Sequence, residues 1–190
     1  MKLTLVLIIG LVIVLGIIVA CMFISYYNKF VKGKNGVEES FSTMDVYMKK
    51  RYDLIPNLVA TVKGYAKHEK ETLEAVIAAR NVAASATTTE EKIASNNTLN
   101  NTLKGLFAVA EQYPTLQANT NFQELMSQLK AVENDIANAR KYYNARVKSF
   151  NTSIETFPGN FFAKIYKKFT KYPFYVVEDE QERKNIKVEF

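Results

Sequence analysis

Residues 120–154 read TNFQELMSQLKAVENDIANARKYYNARVKSFNTSI and carry the clearest periodicity in the chain. Their apolar residues recur at alternating steps of three and four, the coiled-coil spacing that keeps one stripe of a helix against a partner. The stripe consists of Phe122, Leu125, Leu129, Val132, Ile136, Ala139, Tyr143, Val147, Phe150 and Ile154. A helix of this length, about 50 Å at about 1.5 Å per residue, cannot bury its stripe alone, so the stretch predicts a helical bundle.

Capping signals mark the starts of two helices. Thr120 and Gln123 have the spacing of a capping box, in which the two side chains satisfy each other's backbone N–H groups. Thr88 and Glu91 repeat that spacing. The first pair predicts the start of the periodic helix, and the second pair predicts a separate helix that ends before Pro114.

Sequence composition sets further limits on these two helices. Residues 95–101, SNNTLNN, have poor helix propensity, which predicts that the first half of the 88–113 helix frays. The rest of that helix is carried by Leu103, Leu106, Phe107 and Ala110. The run Phe157-Pro158-Gly159-Asn160 predicts the end of the long periodic helix.

An earlier stripe predicts a helix that contains Pro56. It consists of Val37, Phe41, Met44, Met48, Tyr52, Ile55, Leu58 and Val62 and continues through Tyr65, Leu73, Val76 and Ile77. Proline removes a backbone donor and clashes with the preceding turn, so it kinks a helix or marks a restart. The unbroken phase favours a kink, and the alternative is a break into two helices with Asp53 as the cap. The predicted fold is all-α, an antiparallel up-and-down bundle that has a fourth helix if the chain breaks at Pro56.

The N-terminal run Leu3 to Ile24 holds no charged residue and predicts a transmembrane helix. As a helix it is about 33 Å long, enough for a hydrocarbon core of about 30 Å. The alternative is a cleaved signal peptide, in its lipoprotein form at Ile18-Val19-Ala20-Cys21, but a secretory apolar region is shorter, about 7 to 15 residues. Cys21 is the single cysteine, which excludes a disulfide within the chain, and we interpret it as an inert apolar residue in lipid.

Basic residues near the span predict its orientation. Lys29, Lys32 and Lys34 follow the span and only Lys2 precedes it, which favours a short N-terminus outside the cell and a cytoplasmic domain. We therefore divide the chain into an anchor, residues 1–25, a helical-bundle domain, residues 26–158, and a basic aromatic tail, residues 159–190.

The tail places seven aromatic residues between Phe161 and Tyr175 around four lysines. Their spacing predicts that these lysines, Lys164, Lys167, Lys168 and Lys171, share a helical face. One interpretation is contact with anionic lipid, at about 1 kcal/mol per lysine. In the other, the aromatic rings close the end of the bundle and the lysines extend to solvent. The alternation in residues 185–190 resembles a short strand.

Candidate catalytic pairs in this chain lack the partners that their chemistry requires. A zinc protease motif at His68-Glu69 would need a second histidine at position 72, which is Thr72. A di-iron site at Glu111 and Glu133 would need Glu-x-x-His pairs on facing helices. We predict no catalytic, cofactor-binding or metal-binding residue, no cofactor and no enzymatic activity.

The polar residues on the long helix have a structural interpretation. Buried polar groups must be paired, so we predict that Glu133, Asn134 and Arg140 form hydrogen bonds or ion pairs that fix the helix register. The net charge is +6, but Glu alternates with Lys and no recognition motif is present, so we predict no nucleic-acid binding.

A set of short motifs resembles the LemA family of bacterial membrane proteins. The motifs are Arg51 to Glu69, Thr72-Leu73, Ala79-Arg80, Glu111-Gln112-Tyr113-Pro114, Glu133 to Arg140, Tyr142-Tyr143-Asn144, Phe150-Asn151 and Phe157-Pro158. The resemblance covers nearly the whole chain in the family's order. It implies a single N-terminal span, an antiparallel four-helix bundle and a cytoplasmic domain, and it implies no enzyme activity and no agreed site residues.

Two functional hypotheses follow from the sequence. The first is a membrane-anchored structural or interaction protein that binds protein partners or copies of itself. The alternative is a sensor that binds a lipid or small molecule between helices near Pro56.

Overall fold

The computed structural model describes residues 2–176, and that part of the chain is all-α, as predicted. Its helices are α1 (Lys2–Tyr65), α2 (Lys70–Ser85), α3 (Thr89–Glu111), α4 (Pro114–Gln117), α5 (Thr120–Glu155) and α6 (Gly159–Tyr166). The strand-like residues 185–190 lie outside the described residues.

The chain divides into two compact units. The first unit takes in Met1–Ser42 and Tyr142–Phe174, and the second takes in Thr43–Lys141 and the segment from Tyr175. Helices α1 and α5 each contribute residues to both units.

In the second unit, α3 runs parallel to α1. Lys92 Nζ lies 2.7 Å from Asp45 Oδ2, and further along both helices Arg51 Nη1 donates to Asn100 Oδ1 at 2.6 Å. Residue numbers therefore rise together along the pair. The intervening α2 returns in the opposite direction, since it is joined to both neighbours by short loops.

Helix α5 runs antiparallel to α1. Arg51 pairs with Glu133, whereas Asn119 Nδ2 donates to the Tyr65 hydroxyl at 2.9 Å, so residue numbers fall on α5 as they rise on α1. The unit is thus an up-and-down bundle of four helical segments, α1, α2, α3 and α5. Its buried side chains include Met48, Ile55, Leu58, Val62, Leu73, Val76, Leu99, Leu103, Leu106, Leu129 and Ile136.

Helix α1 continues through Pro56, so the alternative of a break at that residue is wrong. Proline has no N–H to donate to the carbonyl four residues earlier, which belongs to Tyr52. Arg80 Nε on α2 donates to this Tyr52 oxygen at 3.0 Å. A side chain from the neighbouring helix thus replaces the hydrogen bond that the proline cannot make.

Helix α1 instead ends at Tyr65, and a loop connects it to α2, which begins at Lys70. The continuous helix that we predicted up to Ile77 is therefore wrong. Ala66 is fully buried and its N–H still bonds to Val62 O at 2.8 Å, after which the chain turns. The fourth helix of the bundle arises from this turn.

The predicted capping box at Thr88 is confirmed. Thr88 Oγ1 accepts from Glu91 N, and Glu91 Oε2 accepts from Thr88 N, both at 3.1 Å. Hydrogen bonds from the backbone of Thr88 and Thr87 hold the pKa of the Glu91 carboxyl below its usual value. The predicted fraying of α3 is wrong, because Ser95 and Asn96 lie in regular helix and are buried.

The capping box predicted at Thr120 is wrong. Asn119 is the capping residue of α5, since its Oδ1 accepts from Phe122 N at 2.9 Å. The apolar stripe of α5 is confirmed: its residues are buried, except that Leu125 is half-buried.

In the first unit, the C-terminal part of α5 packs on α1. The rings of Phe41 and Tyr143 lie 5.4 Å apart, and Phe150 lies over Gly33. A Cβ at Gly33 would come within 2.9 Å of Phe150 Cδ2, so the absent side chain permits this close packing. Residues 3–22 are exposed, and their part of α1 is long and apolar enough to cross a membrane.

We expect the stability cost of losing Arg80 to depend on Pro56. Arg80→Met leaves the Tyr52 carbonyl without its donor and should lower the free energy of unfolding by about 1 to 3 kcal/mol. In a Pro56→Ala chain the restored backbone N–H satisfies that carbonyl, so the same change should cost clearly less. Urea unfolding followed by circular dichroism measures this double-mutant cycle. Equal costs in the two backgrounds would contradict the pairing.

Candidate functional site

An aromatic collar surrounds the point where α1 leaves its apolar run. It consists of Phe23, Tyr26, Tyr27 and Phe30 of α1 together with Phe162, Tyr166 and Phe169. The ring of Phe162 stacks on Tyr26 at 4.5 Å and meets Phe23 edge-on at 4.9 Å. The Tyr166 hydroxyl donates to Phe23 O at 2.6 Å, which also fixes α6 against the backbone of α1.

The tail lysines do not share a helical face, so that prediction is wrong. Helix α6 ends at Tyr166, because Lys167 has a left-handed backbone with φ of 56°. Lys168 Nζ lies 2.5 Å from the Tyr27 hydroxyl and 4.2 Å from the centre of its ring. Lys171 forms an ion pair with Glu155, whereas Lys164 is exposed on α6.

Beyond α6 the tail forms an extended strap along α5. Asn151 binds it on both sides: Nδ2 donates to Tyr172 O at 2.9 Å, and Oδ1 accepts from Tyr172 N at 3.0 Å. The Tyr143 hydroxyl donates to Pro173 O at 2.8 Å. Burial and the nearby Glu38 carboxylate raise the pKa of Tyr172, whose hydroxyl donates to that carboxylate at 3.0 Å. Of the tail's aromatic residues, Phe162 and Phe169 are buried in the first unit, and the closure of the bundle end with lysines extending to solvent stays a prediction.

A buried arginine organises the second unit. Arg51 is 1% exposed, and its guanidinium reaches two other helices. Nη1 donates to Asn100 Oδ1 at 2.6 Å and to Glu133 Oε1 at 2.9 Å, and Nη2 donates to Asn96 Oδ1. Asn96 Nδ2 in turn lies 2.6 Å from the Tyr52 hydroxyl. The asparagines that suggested fraying are thus the acceptors that a buried guanidinium requires.

The structural role predicted for Glu133 is confirmed by its ion pair with Arg51. The guanidinium of Arg140 lies 5.8 Å from the centre of the buried Tyr175 ring, and its predicted hydrogen bonds or ion pairs stay a prediction. Burial raises the pKa of both Tyr52 and Tyr175, so both hydroxyls stay protonated at neutral pH. The role predicted for Asn134 stays a prediction.

The histidine that we examined for catalysis lies in the turn between α1 and α2. His68 is exposed there. Within residues 2–176 no three His, Cys, Asp or Glu side chains come close enough together to hold a metal ion. The absence of catalytic, cofactor-binding and metal-binding residues stays a prediction.

A groove of about 520 Å³ lies between the end of α1 and α2; the sequence suggested a ligand site near Pro56 but did not identify the residues that line it. Its apolar wall consists of Val59, Leu73, Ile77 and Ala78, and its polar rim of Lys63, Lys67, Lys70, Glu74 and Asn81. The excess of lysine at the rim favours an anionic group. Lys63, Lys67 and Lys70 are three and four residues apart in the sequence, but the end of a helix separates them. The sequence alone did not reveal that they line one groove, because it did not predict the turn at residue 66.

Comparison with known proteins gives a family model and a relative that each match most of the chain. The sequence model of the LemA family matches residues 40–190. Protein LemA of Metamycoplasma hominis is 24% identical over 140 residues, which are 72% of this chain and 63% of that protein.

Shorter matches connect the chain to magnetosome proteins. MamQ 1 of Paramagnetospirillum magneticum is 40% identical over 63 residues, 33% of this chain and 23% of that protein. MamQ of Magnetospirillum gryphiswaldense is 35% identical over 65 residues, 34% of this chain and 24% of that protein. The chain thus spans about a quarter of the length of these MamQ relatives. None of the relatives named here carries an enzyme's name.

The Arg51 cluster predicts a specific loss of stability. Arg51→Met leaves the acceptor on buried Asn96 and the acceptor on half-buried Asn100 without their donor, so we expect the free energy of unfolding to fall by about 3 kcal/mol. Glu133→Gln keeps an acceptor oxygen at a half-exposed position and should cost about 1 kcal/mol. Urea unfolding in detergent measures both changes. An Arg51→Met chain as stable as the parent would contradict the role assigned to the guanidinium.

Proposed function

Because the chain belongs to the LemA family, we propose that it is a membrane-anchored structural and interaction protein that performs no covalent chemistry. The aromatic collar is the observation that supports this proposal. Its rings gather at Phe23, where the apolar run of α1 ends and a bilayer surface would lie.

The proposed anchor continues directly into the folded part of the chain. Helix α1 runs from Lys2 to Tyr65, so the same helix supplies the proposed span and a wall of the four-helix unit. The side chains of Lys29, Lys32 and Lys34 are exposed just after the span, and this supports the cytoplasmic orientation. The exposed tail lysines Lys164 and Lys167 are suited to anionic lipid head groups, at about 1 kcal/mol each.

Protein partners or further copies of this chain are the proposed binding partners of the helical domain. The bundle supplies rigid helical surfaces, and helix packing is the mechanism by which such surfaces associate. The activities and partners of the full-length relatives are not assigned to this chain, because it covers only part of their length.

A second candidate function, a sensor of small amphiphiles, is favoured by the groove between α1 and α2. Its apolar wall begins at Val59, one turn after Pro56, and its rim carries Lys63, Lys67 and Lys70 against the single carboxylate of Glu74. This arrangement suits one anionic head group and a short acyl chain. Ligand pockets of this kind are concave, mostly apolar and have a few polar groups at fixed positions.

The orientation is tested by labelling a cysteine in the α1–α2 turn. In a Cys21→Ser chain, His68→Cys places an exposed thiol in the helical domain. We expect a membrane-impermeant maleimide to label it only after cells are permeabilised. Glu90→Cys, in the first turn of α3, is the matched second exposed site and should behave identically. Labelling of both thiols on intact cells would reverse the proposed orientation.

The sensor function is tested by ligand-dependent unfolding of the full chain in nanodiscs. Dodecanoate at a hundredfold excess over its Kd should stabilise the chain by about 2.7 kcal/mol, because it binds only the folded state. Combined replacement of Lys63, Lys67 and Lys70 by Gln should abolish this shift. The control replaces Lys130, Lys141 and Lys148 by Gln, which changes the net charge equally and should preserve the shift. If dodecanoate does not stabilise the parent chain, the sensor function is refuted.

A further inference from the structure

Three large apolar side chains around α6 remain uncovered. Phe157 is 85% exposed, Phe161 is 56% exposed and Ile165 is 46% exposed. They recur every four residues, so Phe161 and Ile165 lie on one side of α6. We call these three residues the wedge.

The opposite side of α6 is fully engaged. Phe162 and Ala163 are buried, and Tyr166 packs into the aromatic collar. Helix α6 is therefore apolar on both its packed and its exposed sides, with Lys164 at the edge of the exposed side. A helix that only closed a soluble unit would carry polar residues on the exposed side.

The collar fixes the level of α6 along α1. The Tyr166 hydroxyl donates to Phe23 O at 2.6 Å, and Phe162 meets the Phe23 ring at 4.9 Å. Phe23 is the penultimate residue of the uncharged run Leu3 to Ile24, which is about 33 Å long as a helix. The contacts to Phe23 thus hold α6 at the depth where a bilayer's hydrocarbon ends and its head groups begin.

We propose that the wedge of Phe157, Phe161 and Ile165 inserts into the interfacial layer of the lipid bilayer beside the span, as a second membrane-binding site of this chain. The proposal rests on the proposed membrane anchor, because the depth of α6 is set through Phe23. Aromatic rings favour that layer, and amphipathic segments with flanking lysines lie in it. Exposed Lys164 and Lys167 extend from α6 toward anionic head groups.

The lipid surface fits the wedge better than a second copy of the chain. The wedge and the exposed apolar side chains of the span belong to one compact unit, and Phe162, beside Phe161, contacts Phe23 at the end of the span, so lipid that covers the span lies close to α6. The flanking lysines would repel the same lysines of a second copy, whereas an anionic leaflet attracts them. The wedge and the span therefore share one solvent.

Tryptophan fluorescence of the full chain tests this insertion. The sequence contains no Trp, so Phe161→Trp provides a single probe. The full chain is reconstituted into vesicles of phosphatidylcholine and phosphatidylglycerol in which a part of the lipid is brominated, either near the glycerol backbone or near the methyl ends. We expect blue-shifted emission and loss of most of its intensity with bromine near the glycerol backbone. The matched control Val82→Trp, 61% exposed on α2, should keep its emission with both lipids.

A probe in the span separates the wedge from the anchor. Leu11→Trp should be quenched by bromine near the methyl ends. Quenching of Leu11→Trp without quenching of Phe161→Trp overturns the wedge and leaves the anchor standing. Absence of quenching at both positions overturns the anchor and the wedge together. Blue-shifted but unquenched emission from Phe161→Trp means that protein covers the wedge, and this also overturns the proposal.

A second variant tests the wedge as a unit. Ile165→Asp, placed in the Phe161→Trp chain, adds a charge to an exposed position and should not affect folding. We expect it to reduce the quenching of the probe by the shallow bromines at least severalfold. The matched Val82→Asp change should leave quenching unaltered. Equal quenching with Ile165→Asp would overturn the proposal that Ile165 and Phe161 insert together as parts of the wedge.

Discussion

The hydrogen bonds of one buried guanidinium, that of Arg51, set how the helices of the second unit align with one another. A charge out of contact with water is costly unless it is hydrogen-bonded on all sides. Arg51 meets this requirement at Nη1 and Nη2, which donate to oxygens of Asn96 and Asn100 of α3 and of Glu133 of α5, whereas its Nε has no hydrogen-bond partner among the described residues. A slip of α3 by one turn would remove the two amide acceptors, and a slip of α5 would remove the carboxylate. The ion pair and its two amides therefore set helix register, which apolar packing alone specifies weakly.

The same constraint governs the backbone. Pro56 deprives the Tyr52 carbonyl of its helical donor, and Arg80 supplies one from α2. The strap depends on a similar arrangement, because an extended segment has no partners of its own. Asn151 satisfies the N–H and the carbonyl of Tyr172 together. In each case a polar side chain from a neighbouring element completes a backbone that cannot satisfy itself.

The aromatic collar links this architecture to the proposed membrane role. It joins α6 to α1 at Phe23 through ring packing and one hydrogen bond, so the tail returns to the end of the apolar run. The basic residues of the tail then lie beside the proposed bilayer surface. The tail can therefore both contact lipid and pack on the first unit. Different residues of α6 serve the two roles, because some face inward and others are exposed.

The sequence by itself determined the helical class, the stripe of α5, the capping box at Thr88 and the apolar run, since all of these depend on neighbours within a few positions. Tertiary structure decided what local rules misjudged. Residues 95–101 form regular helix because Arg51 binds asparagines among them. Helix α1 continues through Pro56 because Arg80 replaces the missing donor. The tail lysines share no face because Lys167 ends the helix and the strap is held by distant Asn151. Long-range polar partners outweigh local propensity when they satisfy buried groups that the local sequence leaves unpaired.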